Sequence, residues 1–284
     1  MKQMLKVFIV FAAILGIAFY FLRDQSPAKP TSSAATTGNF DTIGPLPAVV
    51  KESSGIEAMP QQGHYITHND ANNQPHLYEI DSKGKLVKTY KLKLPNVDWE
   101  DLARDNKGNL YIGDTGNNDN KRTELAVYKV SFQDLQRPAA IRFTYEDQPE
   151  KTSKKDNMIF DSEAIFWYGN NLYLITKDRK KNGEARVYQL PDQPGSYKAK
   201  RVGNIKMKDP VTGATISPDG SKVALLSEGK IHLYRDVASP EKFFDSKAEE
   251  INLLGAGQTE GITFEDDRTL LITSEGGNLY RYTL

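Results

Sequence analysis

The chain has no cysteine among its 284 residues. That excludes thiolate nucleophiles, Cys-ligated zinc, iron–sulfur clusters, disulfides and lipid attachment through a cysteine. It also lacks an excess of either charge, with 37 Lys and Arg against 37 Asp and Glu. Nucleic-acid binders normally carry a basic surplus to neutralise phosphates, so no nucleic-acid partner is expected. Histidine is scarce, at four residues. No Gly-x-Ser-x-Gly elbow, Gly-x-x-x-x-Gly-Lys-Ser/Thr loop, His-Glu-x-x-His or Gly-x-Gly-x-x-Gly is present, which removes the common signatures of hydrolases, nucleotide binders and zinc proteases. What is there is a globular composition, 38% hydrophobic and 26% charged, with 21 Gly, 14 Pro, 14 Tyr and 12 Phe. Aromatics interspersed with turn formers predict many short strands rather than helices.

The first residues read as an address. Lys2 and Lys6 precede an apolar run from Val7 to Leu22, followed by Arg23 and a Pro/Ser/Thr/Ala-rich stretch. At 1.5 Å per residue such a helix spans about 24 Å, which Lys6 and Arg23 extend by reaching to the interfaces. Residues 1–22 are therefore expected to be an apolar signal-anchor helix or a cleaved signal peptide, and 23–39 a flexible linker. Both alternatives place residues 40–284 outside the cytoplasm, on the periplasmic side of the cell envelope, with the inner membrane as the partner of an uncleaved helix.

Beyond residue 40 one phrase recurs. A strand of the type Leu110-Tyr111-Ile112-Gly113 or Leu172-Tyr173-Leu174-Ile175 is followed by one centred on a tyrosine, at Tyr78, Tyr128, Tyr188, Tyr234 and Tyr280. These tyrosines are 50, 60, 46 and 46 residues apart. Asp81-Ser82-Lys83-Gly84, Asn106-Lys107-Gly108-Asn109 and Pro218-Asp219-Gly220 supply turns. A period of 40–50 residues holding four short strands predicts an all-β fold, a β-propeller of five blades of four antiparallel strands. The count becomes six if the long stretch 131–160 holds another blade. Because the last repeat ends after its third strand, Phe40–Val50 is expected to supply its outer strand and close the ring.

The first strands carry a pattern of their own. Ser54, Glu100, Glu163, Gly213 and Glu260 lie 11, 11, 10, 11 and 11 residues before Tyr65, Tyr111, Tyr173, Ala224 and Leu271. Innermost strands line a propeller's channel, so Glu100, Glu163 and Glu260 are expected at one mouth. The second strands end in polar clusters that should reach the same mouth. They supply His68, Asn69 and Asp70; Asp114, Asn117 and Asn118; Lys177 and Asp178; and Glu275. Asp101, Asp161 and Thr212 stand beside the inner-strand positions. Such a ring of carboxylates needs compensation by a hard cation with oxygen ligands, Ca²⁺ first, with Glu100, Asp114, Glu163 and Glu260 as ligands. A structural role, bonding backbone amides and capping turns, is the alternative for part of this set. Glu100, Glu163 and Asp114 are also the candidates for a general base. Lys177 begins a basic run with Arg179, Lys180 and Lys181 that suits a phosphate or carboxylate.

Several phrases occur in a familiar order: Ser53-Ser54-Gly55-Ile56, Thr67-His68-Asn69-Asp70, Asp98-Trp99-Glu100-Asp101-Leu102-Ala103 and Gly113-Asp114-Thr115-Gly116-Asn117-Asn118. Phe160-Asp161-Ser162-Glu163-Ala164, Val211-Thr212-Gly213-Ala214, Gln258-Thr259-Glu260-Gly261 and Ser274-Glu275-Gly276 continue it. Over residues 45–284 the chain resembles a family of exported bacterial β-propellers, mostly hypothetical proteins, and is distantly similar to the SdiA-regulated and esterase-like-phytase propellers. Thr259-Glu260-Gly261 departs from the Gly-Glu-Ala expected there, although the Glu is retained. The resemblance implies the propeller and no settled reaction. Two readings follow. One is an extracytoplasmic, membrane-anchored binding protein or scaffold whose acidic mouth takes a cation, small ligand or partner protein. The other is a metal-dependent hydrolase of a lactone, ester or phosphoester.

Overall fold

The computed structural model describes residues 39–149, 159–178 and 183–284. The expected apolar helix (1–22) and most of the linker (23–39) lie outside these residues, as does part of the basic run after Lys177. Among the described residues no helix is long and apolar enough to cross a membrane.

The described chain is all-β and propeller-like. It forms twenty strands and a single short 3-10 helix, Pro240–Asp245. The strands follow one another as antiparallel four-strand meanders, each running from a buried inner strand to an exposed outer one. The outermost strand of the last meander comes first in sequence, as β1 (Phe40–Pro45). Then come β2 (Ser53–Ala58), β3 (His64–Asn69), β4 (His76–Asp81) and β5 (Leu86–Lys91). The next unit is β6 (Trp99–Arg104), β7 (Asn109–Asp114), β8 (Leu125–Ser131) and β9 (Asp134–Tyr145). It is followed by β10 (Ser162–Tyr168), β11 (Asn171–Thr176), β12 (Glu184–Pro191) and β13 (Gly195–Lys206). Next are β14 (Val211–Ile216), β15 (Val223–Ser227), β16 (Lys230–Tyr234) and β17 (Glu249–Asn252). The last three strands are β18 (Thr259–Phe264), β19 (Thr269–Ser274) and β20 (Asn278–Thr283).

β1 pairs with β20, so the N-terminal segment completes the last sheet, with Phe40 stacked on Tyr280 at 5.3 Å. One pairing was not foreseen: Gly195–Ala199 of β13 runs parallel to Ile141–Tyr145 of β9, which fuses two neighbouring units into an eight-stranded sheet. The long stretch after residue 131 supplies β9, whose twelve residues reach past its own unit to make this seam.

Alternation along the strands sends apolar side chains into the layers between neighbouring sheets. Ile66, Leu102 and Ile112 fill the layer between β2–β5 and β6–β9. Ile56, Tyr65, Ile80, Leu271 and Leu279 fill the one between the first and last sheets. The inner strands follow one another β2–β6–β10–β14–β18 and back to β2. At one end of this ring, Asx turns reverse the chain. Asp105 accepts the amides of Lys107 and Asn109 at 2.8 Å, and Asp81 those of Lys83 and Lys85 at 2.9 Å. Gly84 and Gly108 take φ of 76° and 85° in these turns, a conformation that glycine adopts without strain.

Candidate functional site

At the other end, every inner strand carries the same irregularity. The register slips between Ser53 and Gly55, Trp99 and Leu102, Ser162 and Ala164, Val211 and Gly213, and Thr259 and Gly261. A bulge leaves one residue unpaired and re-aims its side chain. The residues so released are Ser54, Glu100, Glu163, Thr212 and Glu260. This corrects the sequence alignment at one position, where Gly213 was expected. The connection from Thr215 to its partner Ala224 holds one residue more than that from Thr263 to Leu271, so a fixed count lands one residue late.

Ser54, Glu100, Glu163 and Glu260 line one cavity of about 170 Å³ together with Glu52, Ser53, Asp70, Asn118, Lys177 and Glu275. Strands paired antiparallel bring the starts of first strands beside the ends of second strands, which is why Asp70, Asn118, Lys177 and Glu275 arrive there. Thr212 turns away, its hydroxyl donating to the carbonyl of Thr259 at 2.8 Å.

Two overlapping groups of carboxylates stand within 4.8 Å: Asp70, Asp98 and Glu100, and Glu100, Asp161 and Glu163. Glu100 belongs to both. It is buried, and no hydrogen bond to its carboxylate is found among the described residues. Burial, then the charges of Glu163, Asp161, Asp70 and Asp98, hold it well above the usual carboxylate range. Burial also pushes Asp98 up to about 6 and Glu260 up to about 8. Lys177 meets Glu163 at 2.6 Å and, among the described residues, is the cation in the cavity lining. Gly116 is a sequence requirement of this packing: a Cβ there would run into Glu100 Oε1 and the Asp98 carboxylate.

The other predicted residues do different work. Asp114 meets Arg122 at 2.9 Å and accepts the Asp98 amide at 3.1 Å. Arg122 also donates to the carbonyls of Gly116 and Asp114, so it clamps the 114–122 loop, and Asp114 does not line the cavity. Asp101 lies fully buried and accepts the amides of Leu102, Ile165 and Ala214 at 2.8, 2.9 and 3.1 Å. It thereby ties β6 to β10 and β14, and it too is absent from the cavity lining. Asn69 fastens 49–52 by accepting the Lys51 amide and donating to the Val49 carbonyl. Asn117 bonds Arg122 and Phe160, and Asp178 accepts the amide of Gly183 at 2.7 Å. His68 is buried, packs edge-on against Trp99 and donates from Nδ1 to the Asn69 carbonyl at 3.0 Å. Burial pulls it down to about 4, so it stays neutral.

Sequence reasoning placed Asp161 beside the inner-strand glutamates and missed Asp98 and Glu52. The signal for Asp98 is its place two residues before Glu100, where the chain runs into the bulge. The spacing that singled out Glu100 was read along strands only.

No family model matches the chain and no curated protein matches it. Solved structures with a similar fold include a catalytically inactive virginiamycin B lyase from Staphylococcus aureus with quinupristin, 14% identical, covering 84% of this chain and 68% of that one at a TM-score of 0.43. A structural-genomics protein of unknown function from Bacteroides thetaiotaomicron is 14% identical over 86% of this chain and 75% of that one, at a TM-score of 0.48. A chain of the nidogen/laminin complex is 11% identical over 79% and 73%, at a TM-score of 0.46. These neighbours are propeller-like and assign no residue of this chain a role.

Proposed function

We propose that the chain is a five-bladed propeller that binds a hard divalent cation, Ca²⁺ first, at the acidic mouth of its channel. The observation that carries this reading is Glu100, a buried carboxylate shared by two carboxylate groups whose oxygens lie within 4.8 Å. Buried charge of one sign is unfavourable unless a counter-charge meets it, and oxygen-only ligand sets suit calcium. Asp70, Asp98, Glu100, Asp161 and Glu163 would hold the ion, and Ser54 and Asn118 add neutral oxygens in the same cavity. In this reading residues 1–22 tether the domain to the envelope on the outer side of the inner membrane.

Calorimetric titration of EDTA-treated protein with Ca²⁺, Mg²⁺ and Mn²⁺ tests it. Saturable Ca²⁺ uptake that falls at least tenfold in Asp98→Asn is the expected result. No heat with any of the three ions, in folded protein, refutes the site. The hydrolase reading shares this cation, with Glu163 or Glu100 as base, and stands only if aryl esters, lactones or phosphate esters turn over in a Ca²⁺-dependent way.

A further inference from the structure

The opposite end of the inner strands holds a second cavity of different chemistry, about 300 Å³ in volume. Its wall includes the partly exposed rings of Trp167 and Tyr168, with Ile216 beside them. Its one guanidinium is Arg104, 30% exposed, which meets Glu57 through Nε at 3.2 Å. No hydrogen bond to Arg104 Nη1 or Nη2 is found among the described residues.

The carboxylates around this cavity are already occupied. Glu57 accepts the Ala58 amide at 2.8 Å and the Thr263 hydroxyl at 2.6 Å. Asp105 takes the amides of its own turn and the Tyr111 hydroxyl. Asp219 takes the hydroxyls of Ser217 and Ser221 and the Ser221 amide. Two further cations flank the space, with Lys107 lying 5.7 Å from the centre of the Trp167 ring and Lys222 lying 3.6 Å from Asp219. Arg104 is thus the cation in the lining, and Lys107 and Lys222 stand at its edge.

We propose that this cavity is a binding site for a small organic carboxylate with a flat apolar body. The two terminal nitrogens of Arg104 form a planar fork that matches a carboxylate's two oxygens. Trp167 offers the face against which a ring packs. The volume suits a ligand at the small end of the range for such pockets, about 300–1,000 Å³. A metal ion would meet the guanidinium and is disfavoured. The site is independent of the cation at the other mouth.

The chain carries its own reporter, because one of its two tryptophans, Trp99, is fully buried and the other is Trp167. Titration of the full chain with 4-nitrobenzoate should quench its tryptophan emission saturably, with neutral 4-nitrobenzamide at least tenfold weaker. Trp167→Phe should remove the quenchable signal, and Arg104→Gln should weaken binding at least tenfold. Because Arg104 also balances a buried glutamate, Glu57→Gln is the decisive variant. It keeps the Oε1 oxygen that Ala58, Thr263 and Arg104 Nε all meet, removes the negative charge that offsets the guanidinium, and should tighten 4-nitrobenzoate severalfold. Equal quenching by acid and amide, quenching that does not saturate, or unchanged affinity in Glu57→Gln would overturn the proposal.

Discussion

Replacing Glu100 by Gln should stabilise the metal-free protein while removing its response to calcium. The carboxylate oxygens of the two groups lie within 4.8 Å of one another. At that distance two ionised groups repel by about 3.5 kcal/mol at an effective dielectric of 20. Glu100 takes part in both groups, so its charge meets the others from two sides, and part of that cost is already relieved by its raised pKa. A net gain of about 1–3 kcal/mol remains for the amide, or roughly 2–10 °C in a domain of this size. The amide preserves volume and places no larger group against Gly116. Ca²⁺ at 100 times its dissociation constant should add about 2.7 kcal/mol to the native protein and nothing comparable to the variant. The assay is thermal unfolding at pH 8, in EDTA and then in Ca²⁺, which should give curves that cross: the variant melts higher in EDTA and the native protein gains more in calcium. A variant that melts lower in EDTA, with no calcium shift in either protein, would show that the Glu100 carboxylate is structural and would refute the reasoning.

Three further outcomes are expected. Glu260 and Asp98 have folded-state values raised by burial to about 8 and about 6, so the native state holds protons that the unfolded chain has lost. Their contribution to stability without metal is then full below about pH 4 and is lost as pH rises from there through 6 and 8, by a few kcal/mol, and Ca²⁺ should flatten the upper limb in a pH series of melts. Gly116→Ala drives a methyl group into the Glu100 and Asp98 carboxylates. It should cost about 1–3 kcal/mol by overpacking and weaken Ca²⁺ binding, read by melting and calorimetry on the same preparation. Asp101→Leu strands the amides of Ile165 and Ala214. At about 1–3 kcal/mol for each buried unpaired group, urea unfolding should show one of the largest losses in the molecule, and Asp101→Asn a smaller one.

Much of the architecture was legible because it repeats. The tyrosine spacing, the glycine-containing turns and the missing fourth strand of the last repeat led to four-strand meanders and to β1 closing on β20, since side-chain alternation and turn chemistry are local properties. The seam between β9 and β13 was not legible: a parallel pairing between outer strands depends on how far each strand overruns its own sheet, which no local pattern records. Gly213 was misplaced for a related reason, a one-residue difference in a connecting turn.

The sequence alone determined which residue types reach the acidic mouth, because inner strands start where second strands end and the polar clusters sit at those ends. Tertiary structure decided what each carboxylate does there. Glu100 and Asp101 are neighbours in sequence and both acidic, yet the bulge directs Glu100 into the cavity and turns Asp101 onto the amides of β10 and β14. Asp114 meets a guanidinium eight residues downstream, and Asp98 joins the carboxylate groups across a loop. The charge of a carboxylate is written in the sequence, but whether it is free to take a cation depends on the donors that folding brings within 3 Å of it.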